Sequence, residues 1–225
     1  MTNSDADAAT KLNDIKSIAI ISAIGDSITF ARVGSLDFHA GAQSLSISNW
    51  NVDDQVEQDV AKKLGNRFKI IHVAYDRPSF AQEVVHTLTL EEPPIRDLVS
   101  RLSAPVDAYL VISKRGTNST HEYLNLTGGI NVLEQTSMFR KPVYALCVLI
   151  EIQLIDSKTN ETVARDEIVI KPGVRYDDPA NQLDPSLWPA DGTHLTEFQS
   201  SELRKQATGK LIPAINNSLT AMGLQ

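Results

Sequence analysis

Residues 143–170 read VYALCVLIEIQLIDSKTNETVARDEIVI, and this stretch decides the fold. Two runs rich in apolar and β-branched residues, 143–155 and 162–170, flank a polar segment that contains Asp156 and Asn160. β-Branched and aromatic residues favour strands, whereas Asp and Asn tolerate the left-handed backbone of tight turns. The stretch therefore predicts a long antiparallel hairpin.

The first part of the chain is predicted to contain two strands and a helix. Apolar runs at 18–24 and 28–33 lie on either side of Gly25, a pattern that favours two strands joined as an N-terminal hairpin. Apolar residues at every fourth position from Val52 to Leu64 predict a helix, and the glycine that follows Leu64 is a common helix end.

Two helix–strand units are predicted between this region and the long hairpin. The helix that ends at Leu64 leads into a strand predicted at 68–74. Helices predicted at 80–88 and after Pro94 lead into a second strand at 106–113. The segment 117–141 has no sustained helical period and is predicted to form a loop with short strands.

The C-terminal helix is predicted from its start signal. Thr196 and Gln199 have the spacing of a capping box, and an apolar stripe continues from there to Met222. Pro213 lacks an amide hydrogen and would crowd the carbonyl of Gly209, so the sequence predicts a kink or break at this position.

These elements together predict an α/β domain of the α+β-like kind. Its mixed sheet would contain the N-terminal hairpin, two αβ units, the long antiparallel hairpin and the C-terminal helix, with the helices mainly on one face. A length of 225 residues fits one hydrophobic core. We predict a disordered tail at 1–14 and a single domain at 15–225.

Composition excludes several classes of function. The net charge is −7 and basic residues occur as scattered pairs, so nucleic-acid binding has little electrostatic support. The longest apolar stretch, 143–150, is shorter than the ~18 to 20 residues that span a membrane. Residues 1–13 lack the features of a signal or transit peptide, so we expect a cytoplasmic protein or, if a leader has been removed, a periplasmic or envelope protein.

Three short motifs occur in the chain order used by the SGNH or GDSL hydrolase family. They are GDSIT at 25–29, GTN at 116–118 and DGTHLT at 191–196. The first resembles the nucleophile block of that family, the second its oxyanion-hole block and the third its acid and base block.

This resemblance implies a serine ester hydrolase. Ser27 would attack an ester carbonyl, and His194 would accept the Ser27 proton as general base. Asp191 would orient the imidazole, and the Ser27 amide together with Asn118 would stabilise the oxyanion.

The predicted secondary structure disagrees with the hydrolase fold. That fold needs a helix just after the serine, where 28–33 is predicted to be a strand. It also needs helix, strand and helix before Asp191, where 143–170 is predicted to be a hairpin. The hydrolase is therefore the alternative hypothesis.

Other reactive side chains have simpler structural explanations. Cys147 lies within an apolar run and is predicted to be a buried, unreactive thiol. The histidines are too far apart in sequence for a local metal motif, and the acidic cluster that begins at Asp53 is predicted to be a solvated helix start. Asp177, Asp178 and Asp184 lack the spacing of a calcium loop. We therefore predict neither a metal site nor a cofactor.

A second resemblance covers nearly the whole chain. The segments that carry it are IAIISAIGD at 18–26, WNVDD at 50–54, VDAYLVISK at 106–114, VLIEIQLIDSKTNETVARD at 148–166 and LIPAINNSLTAMGL at 211–224. In these segments and in its element order, the chain resembles uncharacterised bacterial proteins related in fold to the curli-secretion lipoprotein. The lipoprotein activators of penicillin-binding proteins and the N-terminal domain of the Tol-Pal propeller protein have a similar architecture.

This second resemblance brings no catalytic residues. It implies a non-enzymatic, lipoprotein-like accessory of the cell envelope, or a protein that binds another protein. The edge of the long hairpin at 163–170 is a candidate for partner binding by strand addition. We expect the partner to be a protein, and this is the leading hypothesis.

Overall fold

The strands of one mixed sheet and the helices that cover it make up the fold. The structure is a computed structural model that describes residues 11–34, 42–81, 95–115, 128–137, 140–170, 182–189 and 193–225. The strands are β1 (Ser17–Ala23), β2 (Ser27–Gly34), β3 (Ala42–Ser46), β4 (Lys69–Ile70), β5 (Ala108–Lys114), β6 (Gly129–Ser137), β7 (Arg140–Asp156), β8 (Thr162–Ile170) and β9 (Gln182–Leu183). The helices are α1 (Val52–Leu64), α2 (Arg77–Phe80), α3 (Ile95–Ser100) and α4 (Glu197–Ala221), and 3-10 turns occur at Ser48–Trp50 and Pro185–Leu187.

The long strand β7 organises the sheet. Its first part pairs with β6 and its second part with β5, so that β6 and β5 follow one another along the same side of β7. Next to them, β1 runs parallel to β5 and β2 runs parallel to β6. The outer strands are β4 beside β1 and β3 beside β2, while β8 and β9 pair with the other side of β7. The mixed α/β sheet and the C-terminal helix predicted from sequence are confirmed.

The two long helices, α1 and α4, cover one face of the sheet. Val56 and Val60 of α1 and Leu211 and Ile215 of α4 are buried in the same apolar cluster as alternate residues of the strands. This burial follows the four-residue apolar spacing of both helices. The opposite face packs against the short helices α2 and α3 near β1 and β5, through Phe80 and other residues. Of the described helices, none is both long and apolar enough to cross a bilayer.

The long hairpin forms as predicted. β7 and β8 pair antiparallel from Val148↔Ile170 to Ile155↔Thr162, with a register shift near Leu154. Asn160 in the connecting turn has φ 56°, the left-handed conformation expected from the sequence. The capping box at the start of α4 is also present, since the Thr196 hydroxyl accepts from the Gln199 N–H and the Gln199 side chain accepts from the Thr196 N–H.

Several elements differ in detail from the sequence-based expectations. β1 and β2 form, but each pairs with other strands, and the N-terminal hairpin is made by β2 and β3. The strand predicted at 68–74 shortens to Lys69–Ile70. Gly129–Ser137, in the segment predicted to form a loop with short strands, is a nine-residue strand because it gains partners on both sides. Residues 11–14 form a helical turn, and the rest of the predicted tail lies outside the described residues.

Helix α4 is not broken at Pro213, contrary to the predicted alternative of a break. The helix runs without interruption from Glu197 to Ala221. Pro213 and Gly209 are both exposed, so water can satisfy the carbonyl that loses its helical hydrogen bond. No other part of the described protein packs against Gly209, because a Cβ added there would have no neighbour within 4 Å outside the helix's own backbone.

Asn160 gives a test of the hairpin turn. Asn160→Val should lower the free energy of unfolding by about 1–2 kcal/mol, because a β-branched side chain is strained at positive φ. Asn160→Gly should change it by less than about 0.5 kcal/mol, because glycine accepts this backbone and the buried Asn160 Oδ1 has no hydrogen-bond partner to lose. Urea unfolding of the three proteins measures both values, and equal stability of the valine and glycine variants would contradict the assigned turn.

Candidate functional site

The junction between β1 and β2 lies next to buried polar side chains, Ser22 and Asp53. Residues 24–26 join the two strands, and Gly25 has φ +93°. Gly129, which begins the neighbouring strand β6, has φ +94°. A Cβ on Gly129 would lie 3.2 Å from the Ile24 carbonyl oxygen, so both the backbone angle and the close approach favour glycine here. We call residues 24–26 the strand junction.

The carboxylate of Asp53 holds the strand junction in place. Asp53 lies in the first turn of α1 and is only 2% exposed. Its Oδ1 accepts the Ser22 hydroxyl at 2.7 Å and the Ile24 N–H at 2.7 Å, and its Oδ2 accepts the Gly25 N–H at 3.1 Å. Buried backbone donors need partners, and this side chain supplies them where the chain changes from one strand to the next.

A second layer of polar side chains surrounds Asp53. Arg77 Nε lies 4.0 Å from Asp53 Oδ2, and Arg77 Nη2 lies 2.8 Å from Asp54 Oδ1 and 3.3 Å from Glu57 Oε1. The Tyr75 hydroxyl is hydrogen-bonded to Glu57 and to the Ser22 carbonyl. The Asp53 network, defined by these residues and Ser22, therefore ties α1 to the end of β1.

The Asp53 network stabilises the fold. Burial raises the pKa of Asp53, while its hydrogen bonds and Arg77 act in the opposite direction. Burial, followed by the hydrogen bond to Glu57, raises the pKa of Tyr75 and keeps its hydroxyl protonated at neutral pH. Both Asp53 oxygens already have donors, so this carboxylate is not a free general base. Within the part of the chain that the structure describes, no group of three or more potential ligands is placed to hold a metal ion.

The Asp53 network predicts a large stability effect. Asp53→Ala should lower the free energy of unfolding by about 3–5 kcal/mol, because three buried donors lose their acceptor at about 1–3 kcal/mol each. Asp53→Asn should lower the free energy of unfolding by less than Asp53→Ala does, because its amide keeps one acceptor oxygen. Asp54→Ala, which removes a carboxylate that is 51% exposed, serves as the control and should cost less than about 1 kcal/mol.

The same variants test the pKa of Asp53. Because the folded-state pKa lies above its ordinary value of 3.8, the folded protein takes up this proton at a higher pH than the unfolded chain. The stability difference between wild type and Asp53→Asn should therefore grow as pH falls from the raised value towards 3.8. Urea unfolding over this pH range measures the slope, and a slope of opposite sign would contradict the assignment.

A groove of about 540 Å³ lies between β3 and the start of α4. We call it the β3 groove. Its lining combines an apolar floor with polar walls and consists of Leu45, Ser46, Asn49, Trp50, Thr193, His194, Leu195, Glu197, Ser200, Ser201 and Arg204. A site of this size and mixed character suits a short peptide segment or a small molecule.

Trp50 anchors the floor of the β3 groove. The residue is 1% exposed, and its Nε1–H donates to Ser200 Oγ at 2.8 Å, which joins the 3-10 turn before α1 to the first turns of α4. Phe198 follows Glu197 in the same first turn of α4 and is 65% exposed. In the described portion of the chain it is the one large apolar side chain that is exposed, although it does not line the groove itself.

The outer edge of β3 borders the groove. Among the described strands, β3 pairs only with β2 and stands at the end of the sheet. The Ile47 N–H donates to the Asp26 carbonyl at 2.7 Å. Hydrogen-bonded residues alternate along an antiparallel strand, so this bond shows which residues of β3 bond to β2. The amide and carbonyl groups of Leu45 therefore face β2, and those of Ser44 and Ser46 face outward.

The structure describes two of the four residues of the hydrolase hypothesis, Ser27 and His194. Ser27 is the first residue of β2, and its neighbours Ile28 and Phe30 point into the core under α1 and α4, so alternation turns Ser27 to the opposite face. His194 lines the β3 groove, with Nδ1 3.2 Å from Thr193 Oγ1. Among the described side chains, no hydrogen bond joins Ser27 to His194. Asp191 and Asn118 lie outside the described residues.

Three other sequence-based interpretations can be compared with the structure. Cys147 is buried as predicted, and burial raises the pKa of its thiol to about 12. The acidic cluster was predicted to be solvated, which is wrong for Asp53 because that carboxylate turns inward to the strand junction. Asp184 caps the 3-10 turn at 185–187 by accepting the Ser186 N–H at 2.8 Å. Asp177 and Asp178 lie outside the described residues.

Sequence reasoning missed the β3 groove. Residues 42–46, with the sequence AQSLS, have too little alternation and too few β-branched residues to predict a strand. One available signal was Trp50, a large aromatic residue in a polar stretch just before a helix. The approach of α4 to β3 depends on tertiary packing, and no local pattern encodes it.

Comparison with known proteins does not assign a family. No family model matches the chain, and no curated protein is significantly similar to it in sequence. A solved structure with partial similarity is a Xanthomonas campestris protein of the DUF330 family, at 11% identity and a TM-score of 0.38, covering 93% of this chain and 85% of that one. Similarity at this level supports no statement about the fold or activity of this chain.

Proposed function

We propose that this chain is a non-enzymatic, partner-binding protein that accepts an extended segment of another protein as an added strand along β3. The observation that carries the proposal is the outward-facing edge of β3, which adjoins an open groove. In strand addition, backbone hydrogen bonds give affinity, and adjacent pockets select side chains. β3 and the β3 groove supply these two parts side by side.

The composition of β3 supports this choice of edge. β3 contains no charged residue and no proline, and four of its five residues are exposed. Natural proteins protect free edges with charges, prolines or bulges, and β3 uses none of these devices. An edge of this kind is suited to pairing with another chain.

The edge of β8, predicted from sequence as the partner site, is less suited. Its centre carries Arg165, Asp166 and Glu167, and charges at this position protect an edge from pairing. Asp166 accepts the Ser218 hydroxyl of α4 at 2.6 Å, and Arg165 pairs with Glu167 at 3.3 Å. These side chains are already engaged within the molecule, so we favour β3 over the hairpin edge.

Backbone hydrogen bonds to β3 alone would give only weak binding of a partner segment. Ser44 and Ser46 together offer two N–H donors and two C=O acceptors, and each hydrogen bond contributes about 1 kcal/mol. Four such bonds amount to about 4 kcal/mol, which corresponds to a Kd in the millimolar range. Useful affinity therefore requires side-chain burial in the β3 groove.

A cell-envelope setting belongs to the same proposal and rests on the sequence resemblance to envelope-associated bacterial proteins. Partner binding rests on the geometry of β3 and does not depend on that setting. The two parts can therefore fail separately.

Strand addition at β3 is tested by removing one outward amide. Peptides selected from a random display library on the wild-type protein serve as probes. Ser44→Pro should weaken their binding at least about fivefold, because it removes an N–H that faces the added strand without removing a bond to β2. Ser44→Ala is the matched control, because it loses the same hydroxyl and its contact with Thr29 but keeps the amide. Calorimetric titration measures the affinities.

A second measurement covers the case in which the proline variant does not fold. In the wild-type protein, the selected peptides should shift the backbone amide resonances of Ser44 and Ser46 more than those of Arg165 and Glu167. Larger shifts on β8, or equal peptide affinity for the proline and alanine variants, would overturn the proposal.

The non-enzymatic assignment has its own test. We expect wild type and Ser27→Ala to hydrolyse p-nitrophenyl butyrate at the same background rate, because among the described side chains no general base is hydrogen-bonded to Ser27. The assay compares initial rates at matched concentrations. Turnover by the wild type that disappears in Ser27→Ala would establish the hydrolase hypothesis instead.

A further inference from the structure

The β3 groove has a charge at each of two positions along α4. Glu197 and Arg204 both line it, and seven residues separate them, a distance of about 10 Å along a helix. The groove is therefore acidic towards the start of α4 and basic two turns later. A bound segment would experience opposite local fields at these two positions.

Arg204 is available for a partner. Four other arginines, Arg32, Arg77, Arg115 and Arg165, form ion pairs with carboxylates of this chain. In the residues that the structure describes, no carboxylate lies within 4.0 Å of the Arg204 guanidinium. A guanidinium presents a planar fork of donors that matches a carboxylate, which makes that group its preferred partner.

We propose that the β3 groove selects an added segment in which an acidic side chain lies two residues from an apolar one. The carboxylate pairs with Arg204, and the apolar side chain packs against Leu195, the partly exposed apolar residue of the lining. This inference rests on the proposed strand addition at β3 and names the class of segment that the site accepts.

The spacing follows from strand geometry. Side chains at positions i and i+2 of an added strand point to the same face and lie about 7 Å apart. An apolar side chain placed on Leu195 therefore leaves the acidic side chain on the same face about 7 Å further along the groove, and the proposal places this carboxylate at Arg204. Glu197 would repel a carboxylate placed at the other end of the groove, so the charges also favour one orientation of the segment.

The net charge of the protein limits the segment to few acidic residues. At −7, the chain repels a highly acidic partner at long range. One carboxylate at Arg204 gains a short-range, charge-assisted hydrogen bond without that cost. We therefore expect one acidic position in the segment and no acidic tract.

The test uses peptides selected from a random display library on the wild-type protein and a double-mutant cycle. Arg204→Gln should weaken binding of the selected peptides about tenfold, and Glu197→Gln should strengthen it by removing a repulsive charge. The matched control is Lys205→Gln, which removes an exposed positive charge next to Arg204 that does not line the groove, and it should leave binding unchanged. Replacing the peptide's Glu by Gln, or its Asp by Asn, should weaken binding to wild type about tenfold and have no further effect on Arg204→Gln. This loss of additivity identifies the pair.

Other results would overturn either the selection of an acidic side chain or strand addition at β3. If Ser44→Pro weakens binding but Arg204→Gln does not, acidic selection is wrong and strand addition stands. If neither variant weakens binding, the proposed function fails. If amidation of the peptide C-terminus abolishes binding while neutralisation of its acidic side chain does not, the groove binds a chain terminus and the inference is wrong. If sedimentation shows a dimer that Ser44→Pro dissociates, a second copy occupies the edge and the inference is also wrong.

Discussion

The hydrogen bonds from the strand junction to the Asp53 carboxylate are the interaction on which the rest of the structure depends. They allow one chain segment to supply two strands, β1 and β2, that lie beside two other strands, β5 and β6. Desolvation of a carboxylate is costly, and three donors and a nearby arginine offset part of that cost. The sheet can therefore extend past the junction and still bury its polar backbone groups.

The position of the candidate binding site depends on the strand junction. Because the junction directs β2 along β6, β2 can pair with β3 on its other side, and β3 becomes the last of the described strands at this end of the sheet. The hydrogen bond from Trp50 to Ser200 then places the start of α4 next to that end. The β3 groove thus arises from two contacts that join distant parts of the sequence.

Local patterns predicted the elements whose partners are close in sequence. The β7–β8 hairpin, the capping box at Thr196 and the helix that ends at Leu64 all follow from short-range rules of turn chemistry and periodicity. β6 and β3 could not be predicted this way, because partners that are distant in sequence stabilise them as strands. Asp53 looked like a solvated helix residue for the same reason, since its donors come from residues 22–25.

The length of β7 links the unfolding of the two halves of the sheet. This single strand of 17 residues hydrogen-bonds to the strands of both halves of the sheet, β5 in one and β6 in the other. Neither half has a complete set of ladders without it, so a fragment that stops before Arg140 would leave two rows of backbone groups unsatisfied. We therefore expect the two halves of the described sheet to unfold together.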